Sequence, residues 1–329
     1  MIKITHLSKQ FRVAQPGRGI AGKLKRLVAP QHKVIRAVDD ISLEIGEGEI
    51  VGYLGPNGAG KSTTIKLLTG VLVPTSGTVT VNGIEPSKAR TRNAYNIGVV
   101  YGQRSQLWWS LPLIDSFDIL AAMYKLPKRP YRAHLAFLVD LLDMQEFLEQ
   151  PVRQLSLGQR MRGDLAAALL HEPPILYLDE PTIGLDVVSK NRVLQFLRDL
   201  NAERRTTIVL TTHNLSDVER ICPRIAIIDR GQIILDVRQR ELMARFGRQR
   251  TLIVEFRGVL PEFEVPYGEL VKREANKAWI AFDREQVSAF DLVRSLGQDQ
   301  GIVDISIQEA DVESIVAQIY EHGLAGEAA

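Results

Sequence analysis

The sequence predicts an α/β fold: a largely parallel sheet with helices on its faces, a helical block inserted into it, and a small α+β domain behind it. Three observations point there. Short strand-like apolar runs alternate with helical ones through the first 235 residues, the pattern of parallel strands joined by helical crossovers. Between about Leu113 and Leu170 that alternation gives way to apolar residues at three-and-four spacing (Ile119, Leu120, Met123; Leu135, Leu138, Leu141, Leu142). After Leu235 the texture changes again. A length of 329 residues with 45% apolar and 24% charged content suits two domains with a substantial core.

Strands are expected at Ile2–Ile4, Ala37–Ile45, Glu49–Leu54, Gly77–Val81 and Asn96–Tyr101, with a helix from Lys61 to Gly70. Further strands fall at Ile175–Leu178, Thr207–Thr211 and Arg224–Asp229, and a helix at Ser189–Ala202. The boundaries predicted are residues 1–240 for the first domain, with the helical block at about 105–172, and 245–323 for the second. In the latter, Thr251–Phe256, Ala278–Phe282 and Ile302–Ile307 read as strands, Glu285–Leu296 and Asp311–His322 as helices.

Composition excludes several classes. The net charge of +2 exerts no general pull toward nucleic acid, so no nucleic-acid partner is expected. One cysteine, Cys222, makes neither an internal disulfide nor a metal cluster. No apolar run is long enough to span a bilayer, and MIKITHLSKQF lacks a secretory core, which places the chain on the cytoplasmic side. One local patch stands out: from Arg12 to Arg36 there are seven basic residues and no acidic one, broken by Pro16, Gly17, Gly19, Gly22 and Pro30. It reads as a long excursion between two strands, either a solvated loop or a docking surface for anionic lipid or a partner.

Gly55-Pro56-Asn57-Gly58-Ala59-Gly60-Lys61-Ser62 fits G-x-x-x-x-G-K-[ST], with a strand before it and a helix after it. Glycines let the backbone wind around a triphosphate with several N–H groups inward, and the helix dipole adds to the field. Lys61 is placed to reach the β- and γ-phosphates, the Ser62 hydroxyl to ligate Mg²⁺, and Thr63 to approach the α-phosphate. A second strand, Ile175-Leu176-Tyr177-Leu178, ends in Asp179 and Glu180, 118 residues beyond Lys61 in the case of Asp179. Beside the phosphate loop, Asp179 would stand near the Mg²⁺ and Glu180 would orient or deprotonate the attacking water. His213, just past the strand Thr207–Thr211, is placed to hydrogen-bond the γ-phosphate.

Leu155-Ser156-Leu157-Gly158-Gln159 opens a helix 23 residues before Asp179, counted from Ser156. Ser156 suits a helix cap. With the other motifs in this order, however, the chain resembles the ATP-binding cassette (ABC) ATPases over residues 1–235. The correspondence comprises a Walker A loop (Gly55–Thr63), a Q-loop glutamine (Gln103), the signature at 155–159, Walker B (Ile175–Glu180), a D-loop (Gly184-Leu185-Asp186) and a switch histidine (His213).

The resemblance implies an α/β P-loop NTPase with a RecA-like core that hydrolyses ATP with Mg²⁺. It implies two cassettes facing head to tail, the partner being a second copy of this chain or a paralogous cassette, with each ATP held between one cassette's Walker A and the other's signature. Ser156, Gly158, Gln159 and Asp186 would then touch nucleotide from the second copy. Gln103 would contact Mg²⁺ and water, and Glu180, His213 and Gln103 would be the catalytic set. Phe11 would stack on adenine or else sit in the core. Leu157 stands where the signature usually has a further glycine and is expected to point away from the Ser156 and Gly158 contacts.

Trp108 and Trp109 follow the glutamine region, where membrane subunits dock in transporter cassettes. Two adjacent tryptophans suit a partner surface or a packed insertion. The pattern resembles exporter cassettes with separate ABC type-2 permease subunits, including antibiotic-resistance and viologen-exporter-like ones, peripheral at the cytoplasmic face of the membrane. The competing readings are a soluble ABC ATPase acting on nucleic acid or ribosomes, and an importer cassette with a regulatory C-terminal domain.

Overall fold

The computed structural model describes residues 1–14, 32–102, 104–212, 214–258, 265, 267–296, 301–309 and 311–322. The chain divides into two compact units, Met1–Asp236 and Val237–Ala329.

The first unit opens with β1 (Ile2–Ala14) and β2 (His32–Ile45), followed by β3 (Ile50–Leu54) and α1 (Lys61–Leu68). β4 (Ser76–Val81), α2 (Arg90–Ala94) and β5 (Ile97–Tyr101) lead into the helical block. That block holds α3 (Leu113–Met123), α4 (Lys128–Leu141), two 3-10 turns (Gln145–Phe147 and Val152–Gln154) and α5 (Leu157–Leu169). The core resumes with β6 (Ile175–Asp179), α6 (Val187–Arg204), β7 (Thr207–Thr211), α7 (Leu215–Ile221), β8 (Arg224–Asp229) and β9 (Gln232–Arg238).

Six strands form one sheet in the order β5-β6-β7-β3-β8-β9, parallel from β5 through β8. β3, β6 and β7 are buried almost throughout, as parallel strands covered on both faces must be. The sequence folded β1, β2 and β4 into this alternation. They instead make a separate antiparallel sheet, β2-β1-β4. A single core joins the two sheets through α1: Ile4, Ile41 and Val79 share it with Ile65, Tyr53, Tyr177 and Ile228.

The β1–β2 pair corrects the expected basic excursion. Both strands run farther than their apolar centres indicate, and Arg12 pairs with Val34, Val13 with Lys33 and Gln10 with Arg36. Three of the seven basic residues are therefore ladder residues. Arg18, Lys23, Lys25 and Arg26 lie outside the described residues. The helical block also breaks where the sequence reads continuously: Pro127 precedes α4, and Pro151 precedes the second 3-10 turn.

In the second unit, α8 (Gln239–Phe246) precedes β10 (Gln249–Phe256), β11 (Glu269–Glu274), β12 (Lys277–Asp283), α9 (Ala289–Ser295), β13 (Ile302–Gln308) and α10 (Val312–His322). The antiparallel order is β11-β12-β10-β13. Leu252, Val254, Phe256, Ile280 and Leu292 form its core. The helix expected from Glu285 begins at Ala289, because Asp283 Oδ1 accepts the Glu285 N–H in a turn and Ser288 Oγ accepts the Asp291 N–H as the cap. Among the described residues, no helix is long and apolar enough to cross a membrane.

Candidate functional site

The predicted residues gather at the C-terminal ends of three adjacent parallel strands, where an open α/β sheet places its ligand crevice. β3 ends at Leu54 and runs into the loop Gly55–Gly60, and α1 begins at Lys61. β6 ends at Asp179, and β7, which lies between β3 and β6, ends at Thr211. A cleft of about 680 Å³ lies here, lined by Asn57, Ser62, Lys66, Asp179 and Glu180 together with Tyr101, Gly102 and Arg104.

The loop's shape follows from its glycines. Gly60 adopts φ 117 and Gly58 φ 86, and a Cβ at Gly60 would collide with the Ala37 carbonyl. Gly60 offers no side chain to cap α1, so the first-turn N–H groups have no side-chain partner there. They present an anion-binding end. Lys61 is 6% exposed, and its Nζ donates to Gly55 O (2.5 Å) and Pro56 O (3.2 Å), curling back over the loop. Burial lowers its pKa, opposed by the carboxylates of Glu180 and Asp179. Thr64 Oγ1 donates to Gly60 O at 3.1 Å and locks the loop to the helix, while Ser62 faces the cleft and Thr63 follows it on the first turn.

On the opposite wall, Thr211 Oγ1 donates to Asp179 Oδ1 at 2.5 Å. The main-chain N–H of Glu180 donates to Thr211 O at 2.8 Å, and that of Gly102 to Asp179 O at 2.7 Å. The strand ends are thus stitched together directly beneath the two acids. Glu180 is held at φ 57, a strained conformation for a side-chain-bearing residue. A Cβ at Gly102 would sit within 3.0 Å of Glu180 O, so only glycine permits this approach of β5 to the carboxylate pair. The turn after Glu180 is anchored from below: Thr182 Oγ1 donates to Asp217 Oδ2 (2.7 Å), and Lys190 Nζ pairs with Asp217 Oδ1 (2.6 Å), Asp217 being wholly buried. Sequence reasoning missed Thr211, Gly102 and Asp217. The one signal for Thr211 was its place at the end of a strand next to Walker B.

Five of the other predicted residues lie away from the cleft lining. Ser156 caps α5: its Oγ accepts the Gln159 N–H (3.2 Å), and Gln159 Oε1 accepts the Ser156 N–H (2.8 Å), a complete capping box. Asp186 caps α6 through the N–H groups of Val188 and Ser189 (2.9 and 3.0 Å) and accepts from Ser189 Oγ (2.6 Å). The Ser189 hydroxyl bond, with the Ser189 N–H, holds the Asp186 carboxyl below the usual carboxylate range. Neither Ser156, Gly158, Gln159 nor Asp186 lines the cleft. Phe11 is half-buried on β1, opposite Ile35, with Lys9 Nζ 5.3 Å from its ring centre. Gln103 and His213 lie outside the described residues.

The chemistry on offer is that of a phosphate cradle facing two acids. The chain as a whole is similar to known proteins. The family described as ABC transporter covers residues 38–183. The linearmycin resistance ATP-binding protein LnrL of Bacillus subtilis is 30% identical over 84% of this chain and 91% of its own length. A methionine import ATP-binding protein, MetN of Geobacillus kaustophilus, is 36% identical over 61% of this chain, which spans 59% of that protein's length. Among solved structures, the ATP-binding cassette MJ0796, a dimer in a post-hydrolysis state bound to ADP and Pi, is 26% identical with TM-score 0.61, covering 72% of this chain and 98% of its own. The chain belongs to the ABC transporter family, as an ATP-binding and ATP-hydrolysing subunit.

Proposed function

We propose that this subunit energises an exporter, working as two copies that close head to tail around two ATP and drive separate type-2 membrane permeases. One observation carries the two-copy reading. The cleft is lined by the phosphate loop and both acids, whereas Ser156 and its helix lie outside it. The capping box takes the Ser156 and Gln159 N–H groups, which leaves those of Leu157 and Gly158 at the start of α5 as the anion site, and a site with no phosphate of its own in the same chain is useful against a second chain's γ-phosphate. Ser156 Oγ accepts one hydrogen bond in the cap and keeps its hydroxyl hydrogen to donate. Gly158, Gln159 and Asp186 join it on that face.

Within the cleft, Lys61 turns from the loop carbonyls to the β- and γ-phosphates. Ser62 and Asp179 offer hard oxygen donors on facing walls, a set that fits Mg²⁺, which takes one or two protein oxygens and completes its shell from phosphate and water. When bound, the ion would neutralise charge between the outer phosphates. Glu180 receives the proton of the attacking water, with Gln103 and His213 completing the catalytic set.

The exporter reading rests on the extent of similarity. The alignment with the linearmycin resistance protein covers 286 residues, more than the 236 of the first unit, so it enters the second. That with the methionine import protein covers 204. The second unit is then an accessory domain for dimerisation or regulation. The docking face for the permease is Trp109, 54% exposed, beside Trp108. Its main-chain O accepts from the Arg153 N–H (3.0 Å), while the Trp108 N–H donates to Ser116 Oγ (3.1 Å). Two tryptophans fixed at the surface are suited to anchoring a partner.

The test is Glu180→Gln with ATP and Mg²⁺, read by light scattering. The reading requires a stable dimer of twice the 36.8 kDa chain mass. A monomer that binds ATP tightly and does not associate would refute it.

A further inference from the structure

Leu157 does not merely point away from the signature contacts. Its Cδ2 methyl lies on Gly184, in the turn between β6 and α6, at the place where a Cβ would stand: a side chain there would come within 3.0 Å of it. Gly184 adopts φ 70 and is itself exposed. One residue on, a Cβ at Gly158 would meet Ser189 Oγ at 3.0 Å and Ser189 Cβ at 3.4 Å. Ser189 is the residue whose hydroxyl and N–H both bond the Asp186 carboxylate. Two consecutive residues of the signature thus seat against two positions flanking Asp186. The first contact is a knob in a glycine hole, the second a close approach that the missing side chain at 158 allows.

We propose that Leu157 is a positioning residue which, through Gly184, fixes Ser156 and Asp186 in one rigid surface for the second copy's nucleotide. This rests on the two-copy reading above and adds to it. A glycine at 157 would remove the contact with Gly184 and leave those that position 158 makes with Ser189 and, more loosely, with the Leu185 side chain. The leucine fills the hole that Gly184 opens, so the identities at 157 and 184 depend on each other. The φ of 70 already favours glycine at 184; a side chain there would in addition require 157 to shrink, and that second cost is the one the two positions share. Near-attack geometry is sensitive to shifts of about 1 Å, enough to cost on the order of 10²-fold in rate, so the spacing of Ser156 from Asp186 is felt in turnover while ATP binding by the chain's own loop is left alone.

The experiment is a double-mutant cycle on the full chain with Leu157→Ala, Gly184→Ala and both together, measuring kcat, KM for ATP and Tm. Leu157→Ala, which introduces no clash, should lower kcat by about threefold to tenfold with KM unchanged. Gly184→Ala should lower it by about tenfold or more. The double variant should turn over at least about fivefold faster than the product of the two single effects allows, since interacting residues are non-additive. If the two effects on kcat simply multiply, or if coupling appears in Tm while kcat is unmoved in every variant, the contact is packing alone and the proposal fails. A Glu180→Gln chain that dimerises normally while the cycle shows no coupling overturns only this inference. A Glu180→Gln chain that stays monomeric overturns the two-copy reading on which it stands.

Discussion

The Asp164 carboxylate, midway along α5, accepts hydrogen bonds from Ser105 Oγ at 2.9 Å and from the Gln106 N–H at 3.0 Å. It is 4% exposed, and no lysine or arginine forms an ion pair with it among the described residues. The signature helix is thereby tied to the segment that leads from Gln103 to the tryptophan pair. A buried carboxylate held by neutral donors is costly, and burial raises the Asp164 pKa from 3.8 to about 6 against the Ser105 and Gln106 bonds.

The sign of its pH effect follows. A carboxyl with a raised folded-state pKa favours folding when protonated: its contribution is complete below about 4 and is lost as pH rises through about 6. Lowering the pH from 7.5 to 5 should therefore stabilise the native protein relative to Asp164→Asn by roughly 1 kcal/mol. Urea unfolding of both proteins at the two pH values measures it. An unchanged difference would contradict the buried-acid account.

Asp217 carries the turn that follows Glu180. Asp217→Ala leaves Lys190, 18% exposed, without its ion-pair partner and Thr182 without its acceptor. Breaking a buried pair by removing one member costs about 3–5 kcal/mol. Thermal unfolding should show a large loss, and Thr182→Val a smaller one of about 1 kcal/mol.

Gly102→Ala tests the stitching of β5 to the acids. Its added methyl would press on Glu180 O and, at 3.1 Å, on Asp179 O. Steady-state ATPase assays should show kcat falling on the order of 10²-fold, as for a displaced catalytic group. Tm should fall much less than for Asp217→Ala, because the contact lies at a strand end.

Trp109→Ala separates docking from catalysis. The ring is exposed, with the Arg160 guanidinium 5.7 Å from its centre. Basal ATPase activity of the chain alone should stay within about twofold, while co-purification with its membrane subunits should be lost, as expected for an interface anchor. Loss of basal turnover with docking intact would reverse the assignment.

Much of this was legible in the sequence because it is local. A strand, a glycine loop and Lys61-Ser62 follow one another within the residues 50–62, and an apolar strand runs straight into Asp179-Glu180. Other features depend on residues distant in sequence. Nothing near Gly102 announces that it must approach Glu180, and Asp164 looks like an ordinary polar helix position until Ser105 arrives from 59 residues away. The β1–β2 ladder extends into both flanks of the basic stretch, through residues 11–14 and 32–36, because cross-strand pairing overrides the local pattern. β11 (Glu269–Glu274) escapes notice because ELVKRE, an exposed edge strand, has no apolar alternation to read.

The central claim is that Ser156 serves a neighbour's nucleotide and not its own. It is tested most directly by mixing two variants, Lys61→Ala and Ser156→Arg, each inactive alone. In a head-to-tail pair of one of each, one site combines the intact Lys61 of the second with the intact Ser156 of the first. The account predicts that ATPase activity returns on mixing and rises more steeply than linearly with total protein. Activity that stays absent in every mixture, with wild-type turnover per chain independent of concentration, would contradict it.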